Sequence, residues 1–253
     1  MKLGKLAPKF HPKTLRLGKY LLPEALPDPP ARVWREYKIP EDQWQMFGND
    51  QLGDCTCACI AHMLMLVTAH TGTMVVPTLQ DVITAYSAVS GYVPVSPDKL
   101  LVGMNDDGAA ITDVLNYWQT QGIAGHKILG WASIDPTNAV RLRQAIYLFG
   151  GVDAGFEVPD SCMDQFDNGV TWDVVNGSPI DGGHSVPLFG FGSEGFDCCT
   201  WAKNQKLTNT FEQTYFDEAY AVITADWLNA ASGLAPNTLN LDQLTSDLQL
   251  IKN

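Results

Sequence analysis

The chain reads as an α+β protein of two lobes, helical first and strand-rich after. Three observations predict this. Between residues 55 and 149 apolar residues recur at helical spacing, whereas from Gly150 onward short apolar runs alternate with Gly, Asn and Asp turns. The two characters are segregated along the chain rather than alternating, which favours α+β over a parallel βαβ sheet. And 253 residues, 45% of them hydrophobic, suffice to bury a core without disulfide staples.

Residues 1–44 read as an extended arm, because Pro8, Pro12, Pro23, Pro27, Pro29, Pro30 and Pro40 forbid long helices. Leu15, Leu17, Tyr20, Leu21 and Leu22 give the arm something to bury. The main domain spans 45–235, with a helical lobe over about 45–150 and a β lobe over about 150–235. Asp54 reads as an N-cap for a helix over 55–70, with Cys59, Met63, Leu66 and Val67 at helical spacing. Residues 78–90 and 110–122 read as further helices; the second has Ile111, Val114, Leu115 and Trp118 on one face and ends at Gly122. Residues 91–108 read as a loop whose Gly103 to Gly108 stretch is a candidate cleft wall. Asp135-Pro136 starts a helix over 136–149. Strands are predicted at 151–158, 184–191, 197–203 and 218–224, then a short helix from Asp226 to Ala231. Residues 236–253 form a tail with Leu239, Leu241, Leu244 and Leu248 spaced amphipathically. A cleft is expected between the lobes.

Net charge is −12 and the pI about 4.6, which argues against nucleic acid as a partner. The charge is uneven: residues 1–32 carry +5 and the remainder −17, so the arm is expected to lie on its own body or on a neighbour's. No apolar run is long enough to span a membrane, and the start has no signal-peptide core, which points to a cytoplasmic or virus-particle location. Three of the six cysteines fall in Cys55-Thr56-Cys57-Ala58-Cys59, too close on one helix to bridge, and adjacent Cys198 and Cys199 would point to opposite faces of a strand. Reduced thiols are expected, and neither a metal nor a cofactor.

The chemistry centres on Gly48-Asn49-Asp50-Gln51-Leu52-Gly53-Asp54-Cys55. A cysteine in the first turn of a helix sits among unpaired N–H groups at the positive end of the dipole, which favours a thiolate. Such a cysteine becomes a nucleophile when a histidine reaches it. The best candidate is His184, about 130 residues later, in Asp181-Gly182-Gly183-His184-Ser185-Val186. His62 and His70, on or at the end of the first helix, read as core or surface histidines.

This order resembles the papain-like cysteine peptidase superfamily. Pro30 to Tyr37 (PARVWREY) followed by Asn49 to Cys55 is similar to that family's mature start, leading to Asn-Gln-Gly-x-Cys. Leu142 to Val158 resembles the helix that leads through Gly-Pro-Val into the first barrel strand. Phe166 to Trp172 (FDNGVTW) is similar to the turn after it, and Gly183 to Gly192 to the His-Ala-Val…Gly-Tyr-Gly strand. The resemblance covers roughly residues 30 to 225 in the right order. It implies a papain-like two-lobed fold and hydrolysis of a peptide or amide bond through an acyl-enzyme.

For site residues the resemblance implies an amide six positions before the nucleophile, as oxyanion donor. That gives Asn49 with Cys55 or, in a second register, Gln51 with Cys57; the first is preferred because Gly53-Asp54 supplies the turn. A hairpin centred on Glu194 would set Asn204 opposite His184 as its orienting group. The similarity of Thr200-Trp201-Ala202 to Ser-Trp-Gly would instead put Cys199 there. Trp201 is then a shield over the dyad or plain core. Thr56 and the missing Trp after Cys55 depart from the pattern. The expected partner is a peptide or protein substrate, with a homo-oligomer or larger assembly through the arm possible in principle. The alternative function is a non-catalytic assembly component of the same fold, such as part of a phage particle; a soft-metal site on Cys55, Cys57 and Cys59 is the weaker rival.

Overall fold

The run from Thr56 to Val67 carries no charged residue, and a helix apolar on every side must be covered on every side. In the computed structural model, which describes residues 1–9, 14–17, 28–35 and 38–230, this run is helix α1 (Cys55–Thr71), buried without interruption from Cys55 to Thr68. Its cover comes from the rest of the chain. Helix α2 (Leu79–Ser90) starts in a capping box: Thr78 Oγ1 accepts from the Asp81 amide, and the Asp81 carboxylate accepts from Thr78. Strands β1 (Val93–Ser96) and β2 (Lys99–Met104) form a small antiparallel hairpin, and α3 (Ile111–Thr120) packs Val114, Leu115 and Trp118 inward.

The second lobe is a six-stranded antiparallel sheet in the order β3-β8-β4-β5-β6-β7. Its strands are β3 (Gly130–Ile134), then, after α4 (Ala139–Phe149), β4 (Val152–Pro159); α5 (Ser161–Asp167) leads to β5 (Ile180–Phe191), β6 (Gly195–Thr200) and β7 (Lys203–Thr208); α6 (Asn209–Tyr215) leads to β8 (Phe216–Ile223) and α7 (Ala225–Ala230). Strand β5 is the partition between two cores. Val186 and Leu188 join Phe156, Trp172, Trp201 and Phe211 in one. Phe189 joins α1, Tyr86, Leu115 and Trp118 in the other. The alternation follows from the two-residue period of a strand.

The helices, the later strands and the α+β class stand as the sequence predicts. Several details differ. Residues 91–108 hold the β1–β2 hairpin: Pro94 and Pro97 mask it, but Pro94 sits where an edge strand tolerates proline. Strand β3 and helices α5 and α6 are too short to stand out by periodicity. The predicted strand over 197–203 is broken at Trp201-Ala202, which both take positive φ (44° and 59°) and turn the chain back as β7. This is a hairpin turn without the usual Gly or Asn, so nothing in the sequence marked it. Asp54 precedes α1, but its side chain makes no capping bond. The predicted tail 236–253 lies outside the described residues.

Phe156 on β4 is fully buried, stacked on Phe216 at 5.4 Å and edge-on to Trp172, Phe211 and His184. Phe156→Ala is expected to lower unfolding stability by about 3–5 kcal/mol in urea titration, with the slope unchanged.

Candidate active site

Cys55 lies at the first position of α1, where Cys57 and Ala58 already donate to the Asp54 carbonyl and the preceding amides face outward. It is 1% exposed. Burial pushes its thiol up to about 12, while the backbone N–H groups of Ser185 and Gly4, which face the sulfur, pull the other way. Ser185 is the neighbour of His184 on β5, so the sulfur rests against the strand that carries the histidine.

His184 is buried, and its Nε2 pairs with Thr200 Oγ1 at 2.7 Å. The Trp201 ring stacks on the imidazole at 4.5 Å and 23°, and Phe156 meets it edge-on. Nδ1 is buried without a hydrogen-bond partner. Burial holds His184 down to about 3, so the ring is neutral in this closed form. Among the described residues no hydrogen bond joins Cys55 to His184.

Asn49 is 3% exposed, and its Nδ2 donates to the carbonyls of Leu52 and Lys2, each at 3.3 Å. Gln51, its rival, is exposed and donates to Asp50, while Cys57 packs into the helical core. Asn204 is exposed on β7 opposite Cys199, and no hydrogen bond links it to His184 among the described residues. The register explains this. The β5–β6 ladder pairs Phe191 with Phe196 and Gly190 with Asp197, but Leu188 with Cys198 across a bulge, and β6 ends at Thr200. Residue 204 therefore falls on the next strand.

A search of solved structures by shape gives three instructive likenesses. Xylellain, a cysteine protease from Xylella fastidiosa, superposes with a TM-score of 0.67 at 14% identity, over 88% of this chain and 96% of that one. A procathepsin B from Trypanosoma congolense gives 0.59 at 11%, over 87% and 85%. A Carica candamarcensis cysteine protease gives 0.53 at 12%, over 77% and 99%. This chain has the papain-like fold. No family model matches the sequence, and no curated protein matches it significantly.

Within this papain-like fold, the groove beside Cys55 is filled by residues 2–6 of the chain itself. Their backbone is hydrogen-bonded to both walls. Ala109 N donates to Gly4 O at 2.9 Å and Leu6 N to Ala109 O at 3.1 Å; opposite, Gly4 N and Lys5 N donate to Gly183 O at 3.2 and 3.0 Å, and Lys2 N donates to Asn49 O at 3.2 Å. The fit is tight enough to require glycine: a Cβ on Gly4 would lie 1.9 Å from the Gly53 carbonyl oxygen, and one on Gly108 2.0 Å from the Gly4 oxygen. Lys2 also pairs with Asp106. Asp106 accepts from Gly53 N at 2.9 Å and Tyr86 Oη at 2.6 Å. Burial pushes Asp106 up, but the bonds from Lys2, Tyr86 and Gly53 outweigh it and hold the carboxyl below its usual range.

Sequence reasoning placed the basic arm on its own body or on a neighbour's and named Gly103 to Gly108 as a candidate wall; in the structure residues 2–6 lie on the chain itself, against Asp106 and Ala109. Sequence reasoning did not single out Thr200, nor residues 2–6 as the groove's occupant; Gly4 between Lys2 and Lys5 was the available signal. His62 is buried between Trp44 and Phe47 with Nε2 2.8 Å from Gln45 O, and burial lowers it to about 4. Among the described residues the six cysteines are buried and form no disulfide, and no three His, Cys, Asp or Glu side chains converge as a metal cage.

Gly4→Val is expected to lift residues 2–6 from the groove. Iodoacetamide should then alkylate Cys55 at least about ten-fold faster than in the native chain, read by mass spectrometry, because a buried thiol reacts only through opening.

Proposed function

We propose that the protein is a cysteine peptidase that hydrolyses a peptide bond through a Cys55 acyl-enzyme, and that residues 2–6 hold it shut. The observation that carries the reading is the groove's occupant. An extended polypeptide lies beside a helix-start cysteine, hydrogen-bonded through its main chain on both sides, so the cleft is built to bind a peptide backbone whatever its side chains. The carbonyl of Lys2 already accepts from Asn49 Nδ2, the contact an oxyanion would make.

When the groove is vacated, water reaches Cys55 and His184 and the burial that keeps both neutral is relieved. His184 Nδ1, unpartnered in the closed form, takes the thiol proton. The Cys55 sulfur attacks the substrate carbonyl carbon. Asn49 Nδ2 and the Cys55 backbone N–H bind the resulting oxyanion. Collapse breaks the C–N bond, His184 returns the proton to the leaving amine, and water attacks the thioester with His184 again as base. The orienting role expected of Asn204 is assigned to Thr200, whose hydroxyl sets the imidazole from the Nε2 side while Trp201 covers its face. The alternative, a non-catalytic assembly component, has less support: residues 1–9 fold back onto their own body, with Lys2, Lys5 and Lys9 paired to Asp106, Asp217 and Asp113.

The test is release of aminomethylcoumarin from a panel of peptidyl amides by the Gly4→Val chain. Turnover should vanish with Cys55→Ala and fall at least about a thousand-fold with His184→Ala. Thr200→Val should lower kcat about ten-fold or more, while Asn204→Ala leaves it within about two-fold. A Gly4→Val chain that labels at Cys55 yet cleaves nothing in the panel overturns the peptidase reading.

A further inference from the structure

Lys5 is a lysine placed where lysines are rarely found. Its side chain is 1% exposed, and its Nζ lies 2.8 Å from Asp217 Oδ2, 3.2 Å from Glu218 Oε1 and 3.3 Å from the Leu6 carbonyl. The stem runs over Gly155, where a Cβ would come within 2.2 Å of the lysine Cε and 2.7 Å of Glu218 Cγ, so any other residue at 155 would close the pocket. Gly155 pairs with Ser185 on one side and Glu218 on the other, which sets the pocket one strand position from His184.

The walls are built for a cation. Tyr220 Oη donates to Glu218 Oε2 at 2.7 Å, which fixes that carboxylate and leaves Oε1 for the ammonium. Along the same face, Asp153 is fully buried and accepts from Ser185 Oγ at 2.7 Å. Two carboxyl groups thus hold one ammonium, and that ammonium arrives on the segment that fills the groove. If the segment leaves, Glu218, 4% exposed, and Asp217 lose their cation. A buried carboxylate stripped of its partner is costly, so the vacated pocket favours whatever brings a positive charge back.

We propose that this pocket is the specificity pocket of the open enzyme and selects a lysine-like basic side chain, with Lys5 as the built-in occupant that stands in for the substrate's. The inference rests on the peptidase reading for the word substrate, but not for the binding. Glu218 and Asp217 are the residues that read the charge, and Gly155 admits the aliphatic stem. An apolar side chain of equal length would fill the space and leave both carboxylates unpaired, which is a strong basis for discrimination.

The experiment uses the full-length chain carrying Lys5→Met, to weaken the internal occupant, and Cys55→Ala, to prevent turnover. Two peptides are titrated by calorimetry: acetyl-Lys-Leu-Gly-Lys-Leu-Ala-amide, which repeats residues 2–7, and its analogue with norleucine at the position of Lys5. The lysine peptide is expected to bind at least about ten-fold tighter, and Glu218→Gln in the same chain should erase the difference. Equal binding of the two, binding of neither, or a preference that survives Glu218→Gln overturns the proposal. A second measurement leaves the arm intact: Glu218→Gln alone, which keeps the pocket's shape, should speed alkylation of Cys55, and an unchanged rate counts against the pocket. Turnover of peptidyl amides by the Lys5→Met chain is read separately. A lysine preference in binding without turnover sinks the peptidase and keeps the pocket; turnover without preference does the reverse.

Discussion

Burial of α1 is the constraint on which the rest of the structure depends. A helix without a charged residue from Thr56 to Val67 cannot face water on any side, so two lobes must close around it, helices on one side and β5 on the other. It is buried from Cys55 to Thr68, its last residues are half-buried, and its first turn lies against β5 and residues 2–6. That first turn is where the backbone has unpaired donors to offer. The thiol therefore reaches the cleft without being placed on a flexible loop, and its position is as rigid as the core behind it.

This constraint also explains what was legible in the sequence. The places of Cys55 at a helix start and His184 on a strand could be read because each stands beside a local marker, a Gly-Asp turn before an apolar helix and a Gly-Gly approach to a strand, whereas Asn49 was picked out by the family resemblance alone. The α+β class could be read because periodicity changes at Gly150, although the sheet already takes in β3 at Gly130–Ile134. Thr200 could not, because its contact with His184 depends on a bulge between Leu188 and Gly190 and on a turn at Trp201-Ala202 that lacks turn residues. Register is a tertiary quantity, and one misplaced turn carries the partner to another strand, as happened with Asn204. The β1–β2 hairpin was hidden for the opposite reason: its prolines mark a loop until the edge position that tolerates them is known.

Trp201 shows how local strain and site geometry are joined. A bulky residue at φ 44° is disfavoured by its own backbone, yet that conformation lays the indole flat on His184. The surrounding aromatic packing, with Phe166 at 5.0 Å and Trp172 at 6.1 Å, holds it there. Glycine would relax the turn and remove the ring, so the most comfortable residue for the backbone is the least useful one for the imidazole.

Asp106 and Tyr86 tie Gly53 to Gly108. Asp106 accepts from Gly53 on the Cys55 side, and Tyr86 Oη accepts from Gly108 N at 3.0 Å on the other. Neither bond involves residues 2–6. Lys2 is an added partner on a bracket that is already complete without it. The Gly53 and Gly108 side of the groove is therefore held by bonds that do not depend on the segment, whereas the Gly183 side meets the segment through its carbonyl. Part of the ordering cost of the Gly53 and Gly108 side is thus met during folding, before any chain, its own or another's, lies against it.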